Sequence, residues 1–135
     1  MREILFRGKR VDNGGWVYGN LIQRNIWGAV FPIIRAEDNG YGNFKEWEVI
    51  PETVGQYTGL KDKNGKKIFE GDILDCGDRL VRVEWNGPNG CWDSVFIKYK
   101  VELCSNGIEP VEWKYRATVI GNVTDNPELT EKWYD

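Results

Sequence analysis

Four lysines, Lys61, Lys63, Lys66 and Lys67, crowd around an Asn64-Gly65 pair. On a hairpin tip, ammonium groups at this spacing project into solvent, where they can meet phosphates or an acidic partner. The same charges also keep an exposed strand edge from pairing with other chains. The run has no arginine to make two-pronged phosphate contacts, so nucleic acid is the less favoured partner. Downstream, Glu70, Asp72, Asp75 and Asp78 form a carboxylate series of the kind that holds Mg²⁺ or shuttles a proton. Glu70-Gly71-Asp72-Ile73 reads better as a turn into a strand, with Asp72 bonding nearby backbone amides. Asp62-x-Asn64-Gly65 begins like a calcium loop, but Lys67 and Ile73 stand at its sixth and twelfth positions, where Gly and Glu are required.

Other chemistry is excluded by composition. The chain has no histidine, which removes Ser-His-Asp and Cys-His catalysis, histidine general bases and histidine-bound zinc within it. Cys76, Cys91 and Cys104 form no C-x-x-C pair and read as idle thiols. Gly55-x-x-x-Gly59 lacks the Lys-Ser/Thr and the following helix of a phosphate-binding loop. The sequence therefore assigns no catalytic, metal-binding or cofactor-binding residue, and it predicts a protein that is not an enzyme.

Tryptophan is the remaining resource. Seven stand at 16, 27, 47, 85, 92, 113 and 133. Each can bury ~150–250 Å², more than a chain of 135 residues can enclose in full. Trp47, between Glu46 and Glu48, and Trp133, in the acidic tail, are the candidates for an interface. Stacking of nucleobases on such aromatics is the alternative.

The elements that must position these residues follow from periodicity. Val95, Ile97, Tyr99, Val101 and Leu103 alternate with polar or charged residues after Phe96, which predicts a half-buried strand over 95–103. Val81, Val83 and Trp85 alternate in the same way, as do Trp113, Tyr115, Ala117 and Val119. Trp16 and Tyr18, Ile73-Leu74, and residues 26–34, interrupted by Gly28 and Pro32, also read as strands. Pro32 places the last of these at an edge or a bulge. Turn signals separate the runs: Asn13-Gly14-Gly15, Asp38-Asn39-Gly40, Asn64-Gly65, Asn86 to Gly90 and Ser105-Asn106-Gly107. In the tail, Asn126 as cap, Pro127 and Glu128 predict a short helix reaching about Trp133.

Size and charge complete the frame. The length suits one domain over residues 1–135. No apolar run approaches the ~20 residues that span a bilayer, and the start lacks the ~7–15-residue apolar stretch of a secretory signal; the cytoplasm is the expected compartment, with no membrane partner. A net charge of −3 provides no global attraction for nucleic acid. Basic stretches at 2–10 and 61–67 face acidic ones at 37–52 and beyond Asp125, a pattern that suits self-association or a protein partner.

Gln56 to Leu74, Val119-Ile120-Gly121-Asn122-Val123-Thr124-Asp125-Asn126-Pro127-Glu128-Leu129 and the Met1-Arg2-Glu3-Ile4-x-Phe6-Arg7 start resemble the YopX protein family in order and spacing. The resemblance implies a small phage or prophage accessory protein of a bacterial host. It also implies a mainly β fold, a small SH3-like barrel with added peripheral strands and the short C-terminal helix. It carries no catalytic residues over. The combined expectation is action through protein–protein contacts, with itself as a homo-oligomer or with a phage or host protein. Lys61, Lys63, Lys66, Lys67, Trp47 and Trp133 are the candidate contacts.

Overall fold

The computed structural model describes residues 3–37, 42–99 and 109–131. Ten strands dominate it: β1 (Phe6–Lys9), β2 (Trp16–Ile26), β3 (Ala29–Glu37), β4 (Phe44–Glu48), β5 (Gly55–Lys61), β6 (Lys67–Phe69), β7 (Asp72–Asp75), β8 (Arg79–Asn86), β9 (Cys91–Tyr99) and β10 (Thr118–Asn122). One sheet has the order β4-β3-β2-β1-β5-β6 and the other β10-β7-β8-β9. The chain is mainly β, as its alternation predicts. Closing a barrel requires the outermost strands of a sheet to pair, and neither order returns to its start. Among the described residues the strands form two open antiparallel sheets and no closed barrel, so the SH3-like barrel implied by the resemblance does not appear there. The chain groups into two compact units, residues 1–57 and 58–135, and β5 passes from one into the other.

In the first unit, β2 and β3 form a long hairpin from Asn20↔Arg35 to Ile26↔Ala29. The interrupted strand expected over 26–34 is in fact the end of β2, a two-residue turn at Trp27-Gly28, and the start of β3. Both turn residues have positive φ, 55° and 82°, the backbone of a type I′ turn, whose twist matches the flanking strands. Asn25 Oδ1 accepts the Gly28 N–H at 3.1 Å. Pro32 does not sit on a sheet edge as a whole. Counted back from the turn, its missing N–H points away from β2, on the side where β4 pairing stops at Glu48. Ile33, Ile34 and Val49 are buried. Gly8 in β1 is required there, because a Cβ would come within 2.9 Å of the Val49 side chain.

The second unit is built on Ile68, Leu74, Cys76, Val81, Val83, Trp113 and Ala117, with Ile73, Leu80 and Ile97 as a second cluster. The strand expected through 113–119 starts only at Thr118. Residues 110–112 form a 3-10 turn, and Trp113–Arg116 (α1) is one helical turn. Trp113 and Ala117 are fully buried while Tyr115 between them is exposed, which is the four-residue spacing of a helix face rather than alternation. Pro110 starts the turn, and the Glu112 carboxylate accepts the Glu109 N–H at 2.9 Å. The Trp113 indole donates to Ser94 Oγ at 2.8 Å.

Two further expectations change. β9 follows its predicted alternation only to a bulge, where Leu80 pairs with Lys98 but Val81 pairs with Phe96. The extra residue shifts parity, so Ile97 and Lys98 are both buried and Lys98 Nζ donates to the Glu131 carbonyl at 2.8 Å. The predicted C-terminal helix is a 3-10 turn, Pro127–Thr130. Asn126 does not cap it; its Oδ1 accepts the Asn122 N–H instead. Residues 100–108 and Trp133 lie outside the described residues, together with Cys104 and the turns predicted at 38–40 and 105–107.

Burial separates the two described cysteines chemically. Cys76 is 4% exposed, and desolvation in the core pushes its pKa up to about 11. At pH 8 about one Cys76 in a thousand is thiolate, the reactive form. Cys91 is exposed. In a Cys104→Ser background, an aromatic disulfide reagent at pH 8 should titrate one thiol at once. The second should appear only at the rate of unfolding, and prompt modification of both would contradict this core.

Candidate functional site

The lysine turn is held by one carboxylate. Asp62 is 4% exposed. Its Oδ1 accepts the N–H groups of Asn64 and Lys66, both at 2.9 Å, and its Oδ2 accepts that of Val119 at 3.0 Å. The backbone closes around it: Asp62 N–H donates to the Lys66 carbonyl at 2.8 Å and Gly65 N–H to that of Asp62 at 3.0 Å. Gly65 takes φ 81°, the conformation that Asn-Gly provides. Lys63 N–H donates to the Ala117 carbonyl at 3.0 Å, which fixes the turn against the start of β10 a second time. Burial alone would raise the Asp62 pKa. The donors Val119, Lys66 and Asn64, helped by the Lys66 ammonium, outweigh it and hold the carboxyl below its ordinary 3.8.

On this frame Lys61, Lys63 and Lys66 are exposed, whereas Lys67 lies half-buried in β6. The four lysines therefore offer three exposed side chains on a turn of fixed shape. The carboxylate series does not converge. Asp72 is buried and accepts the Phe69 N–H at 2.8 Å. Asp75 accepts the Gly77 N–H at 2.9 Å. Asp78 meets Arg79 at 3.2 Å and Arg116 at 3.6 Å. Among the described residues, no three His, Cys, Asp or Glu side chains gather to hold a metal ion, and no helix is long and apolar enough to cross a membrane.

Of the candidate aromatics, Trp47 is half-buried on β4, opposite Ile34, with the Arg10 guanidinium 5.9 Å from its ring centre. The charges of Glu46 and Glu48 fall on the other side of the strand, because neighbours in a strand face opposite ways. Among the described residues, the exposed tryptophans are ones that charge context did not select. Trp27 is 101% exposed at the β2–β3 turn, and Trp85 is 50% exposed near the end of β8. β1 pairs with β2 only up to Gly19, and β4 pairs with β3 only from Ile33 onward. Residues 23–30 are therefore a two-stranded arm that extends beyond the other strands, with Ile26, Trp27 and Val30 exposed at its end. The signal available in the sequence was Trp27-Gly28 spaced as a two-residue loop between apolar runs.

A second feature lies at the β8–β9 hairpin. Trp85 and Trp92 are cross-strand partners with their rings edge-on at 5.0 Å, and Trp92 packs on the core. Beside Trp85, a cleft of about 250 Å³ is lined by Pro88, Val95, Glu84 and Asp93. The two carboxylates are themselves cross-strand partners. Glu84 is met by Arg82 Nε at 2.6 Å, and Asp93 accepts the Ser94 N–H at 2.9 Å.

A model of the YopX protein family matches residues 5–131. Among solved structures, the crystal structure of protein EF1440 from Enterococcus faecalis is similar, with 23% identity over 97% of this chain and 100% of that one, and a TM-score of 0.55. At that identity the likeness concerns fold alone. A comparison with curated proteins finds no match.

The Asp62 geometry predicts a stability effect. Asp62→Ala leaves three partly buried amide donors without their carboxylate and should lower the unfolding free energy by about 2 kcal/mol, read from the urea midpoint. Because the folded-state pKa is depressed, the contribution is complete above the ordinary value. It disappears as pH falls through the lowered value. The gap between the parent and Asp62→Ala should thus be constant near neutrality and narrow below pH 3.8; a gap that widens in acid would contradict the assignment.

Proposed function

We propose that this chain, which belongs to the YopX protein family, is a non-catalytic accessory protein that holds a protein partner through the tip of its β2–β3 arm. In this reading it is a phage or prophage product working in the cytoplasm of its bacterial host. One observation carries the proposal: Trp27 is wholly exposed while held at φ 55°. The left-handed region costs a residue with a Cβ ~1–2 kcal/mol, and Gly or Asn would form the same turn more easily. An indole in water returns nothing for that strain. Backbone strain of this kind collects where binding makes use of it, and tryptophan is prominent among residues that dominate interface energies. Ile26 and Val30 beside it extend the apolar tip.

Binding of nucleic acid through the lysine turn is the second reading. It is supported by Lys61, Lys63 and Lys66 being exposed on a rigid loop. Three ammonium groups release few counterions, so affinity would be low and would fall with salt with a slope of about −2 to −3 on logarithmic axes.

Trp27→Asn separates a binding role from a structural one. Asn tolerates the turn, so the isolated chain should be as stable as the parent or up to ~1 kcal/mol more stable. A photo-crosslinking amino acid at position 30, which leaves Trp27 in place on the exposed tip, expressed in the bacterial host, should give a discrete protein adduct. Absence of any adduct at 30 would overturn the proposal.

A further inference from the structure

We infer that the partner of the arm is a second copy of this chain, with Trp27 of one molecule seated in the Trp85–Pro88–Val95 cleft of the other. This inference rests on the arm being the contact surface, and it adds the identity of what the arm meets. Three properties of the two surfaces match. The first is size. A cleft of about 250 Å³ lies below the ~300–1,000 Å³ of small-molecule pockets and suits a single aromatic side chain. The second is polarity. Trp85, Pro88 and Val95 offer apolar and aromatic walls, while Glu84 and Asp93 offer acceptors for the indole N–H, which needs a partner once buried.

The third is charge. Residues 16–36 contain Arg24 and Arg35 and no carboxylate. Arg24, the charged residue of the arm, and Arg35, nearer the base of the β2–β3 hairpin, turn to the same acid, Glu46, at 3.1 and 3.8 Å, so the hairpin carries one positive charge more than that acid balances. The cleft carries the opposite excess, with Glu84 and Asp93 against Arg82 alone. Like charges placed opposite each other across a ladder cost stability, and Arg24 of the arm brought beside Asp93 relieves that repulsion.

The contact is heterologous: a protruding tip on one molecule meets a recess on another. Tip and cleft are thus consumed in equal numbers. One such contact falls well short of the ~1,200 Å² of a tight interface, so self-association should be concentration-dependent in the micromolar range or weaker.

Light scattering on size-exclusion peaks, from about 1 to about 300 µM loading, tests this. The parent should rise above the 15.6 kDa monomer mass as loading increases. Trp27→Asn should remain monomeric, and so should Asp93→Arg, an exposed charge reversal that leaves the core intact. Trp85→Ala is a second cleft variant, with near-ultraviolet dichroism confirming its fold. An equimolar mixture of Trp27→Asn and Asp93→Arg should associate again, because one supplies the tip and the other the cleft. A parent that stays monomeric, a cleft variant that associates like the parent, or a mixture that stays monomeric would each overturn the inference. If position 30 crosslinks to a protein of different mass while the parent is monomeric, self-docking fails and the arm remains a contact surface. If position 30 gives no adduct, both readings fail.

Discussion

The second unit depends on one buried anion that is satisfied without a cationic partner in close contact. Asp62 reaches three backbone N–H groups, from Asn64, Lys66 and Val119. Burying a charge is tolerable only when hydrogen bonds replace the lost water. Here that requirement ties together segments 57 residues apart in the chain. The carboxylate shapes the turn between β5 and β6 and fixes where β10 begins. β10 then pairs with β7, β7 with β8, and β8 with β9. The placement of Trp113 and Ala117 under that sheet follows, since the Ala117 carbonyl is held by Lys63 N–H.

This explains why the densest run of special residues is architectural. Gln56 to Leu74 contains Asp62, Gly65 and Asp72, each of which supplies backbone geometry or a backbone acceptor. The lysines between them have few other places to go. Lys63 and Lys66 contribute their N–H and C=O groups to the frame while their side chains stay outside. A reading that looks for chemistry in clustered charge is drawn to such a segment, because the residues that build tight turns are also those that bind phosphates and metals. Spacing cannot separate the two uses. The direction in which each carboxylate points can.

Strands and turns were legible wherever two local signals agreed. Asn13-Gly14-Gly15, Asn64-Gly65 and Asn86 to Gly90 all form turns, and alternation located β8 and most of β9. Failures occurred where a single signal had two solutions. Trp113, Tyr115, Ala117 and Val119 alternate, but Trp113 and Ala117 are also four apart, and Pro110 tips the choice to a helical turn. In β9 one inserted residue reversed the faces, placing Lys98 in the interior, which no periodicity can foretell. Closure into a barrel was illegible for a different reason: it depends on which edges meet, and strand-forming residues carry no record of that.

The exposed tryptophans show the same limit from the functional side. Trp47 looked exposed because glutamates flank it, yet in a strand the flanking residues occupy the opposite face, and the indole is half-buried. Trp27 carries no charged neighbours and lies in an apolar run, so its sequence context suggests burial. Its exposure comes from the arm outrunning both β1 and β4, a property of strand lengths rather than of residue type. The backbone then adds what composition cannot: a positive φ at a residue with a Cβ. Strain alone would be a defect, and exposure alone is common for apolar groups. Both at one tryptophan, at the tip of a ribbon that other strands leave unsupported, place the functional argument on this arm instead of on the lysine turn.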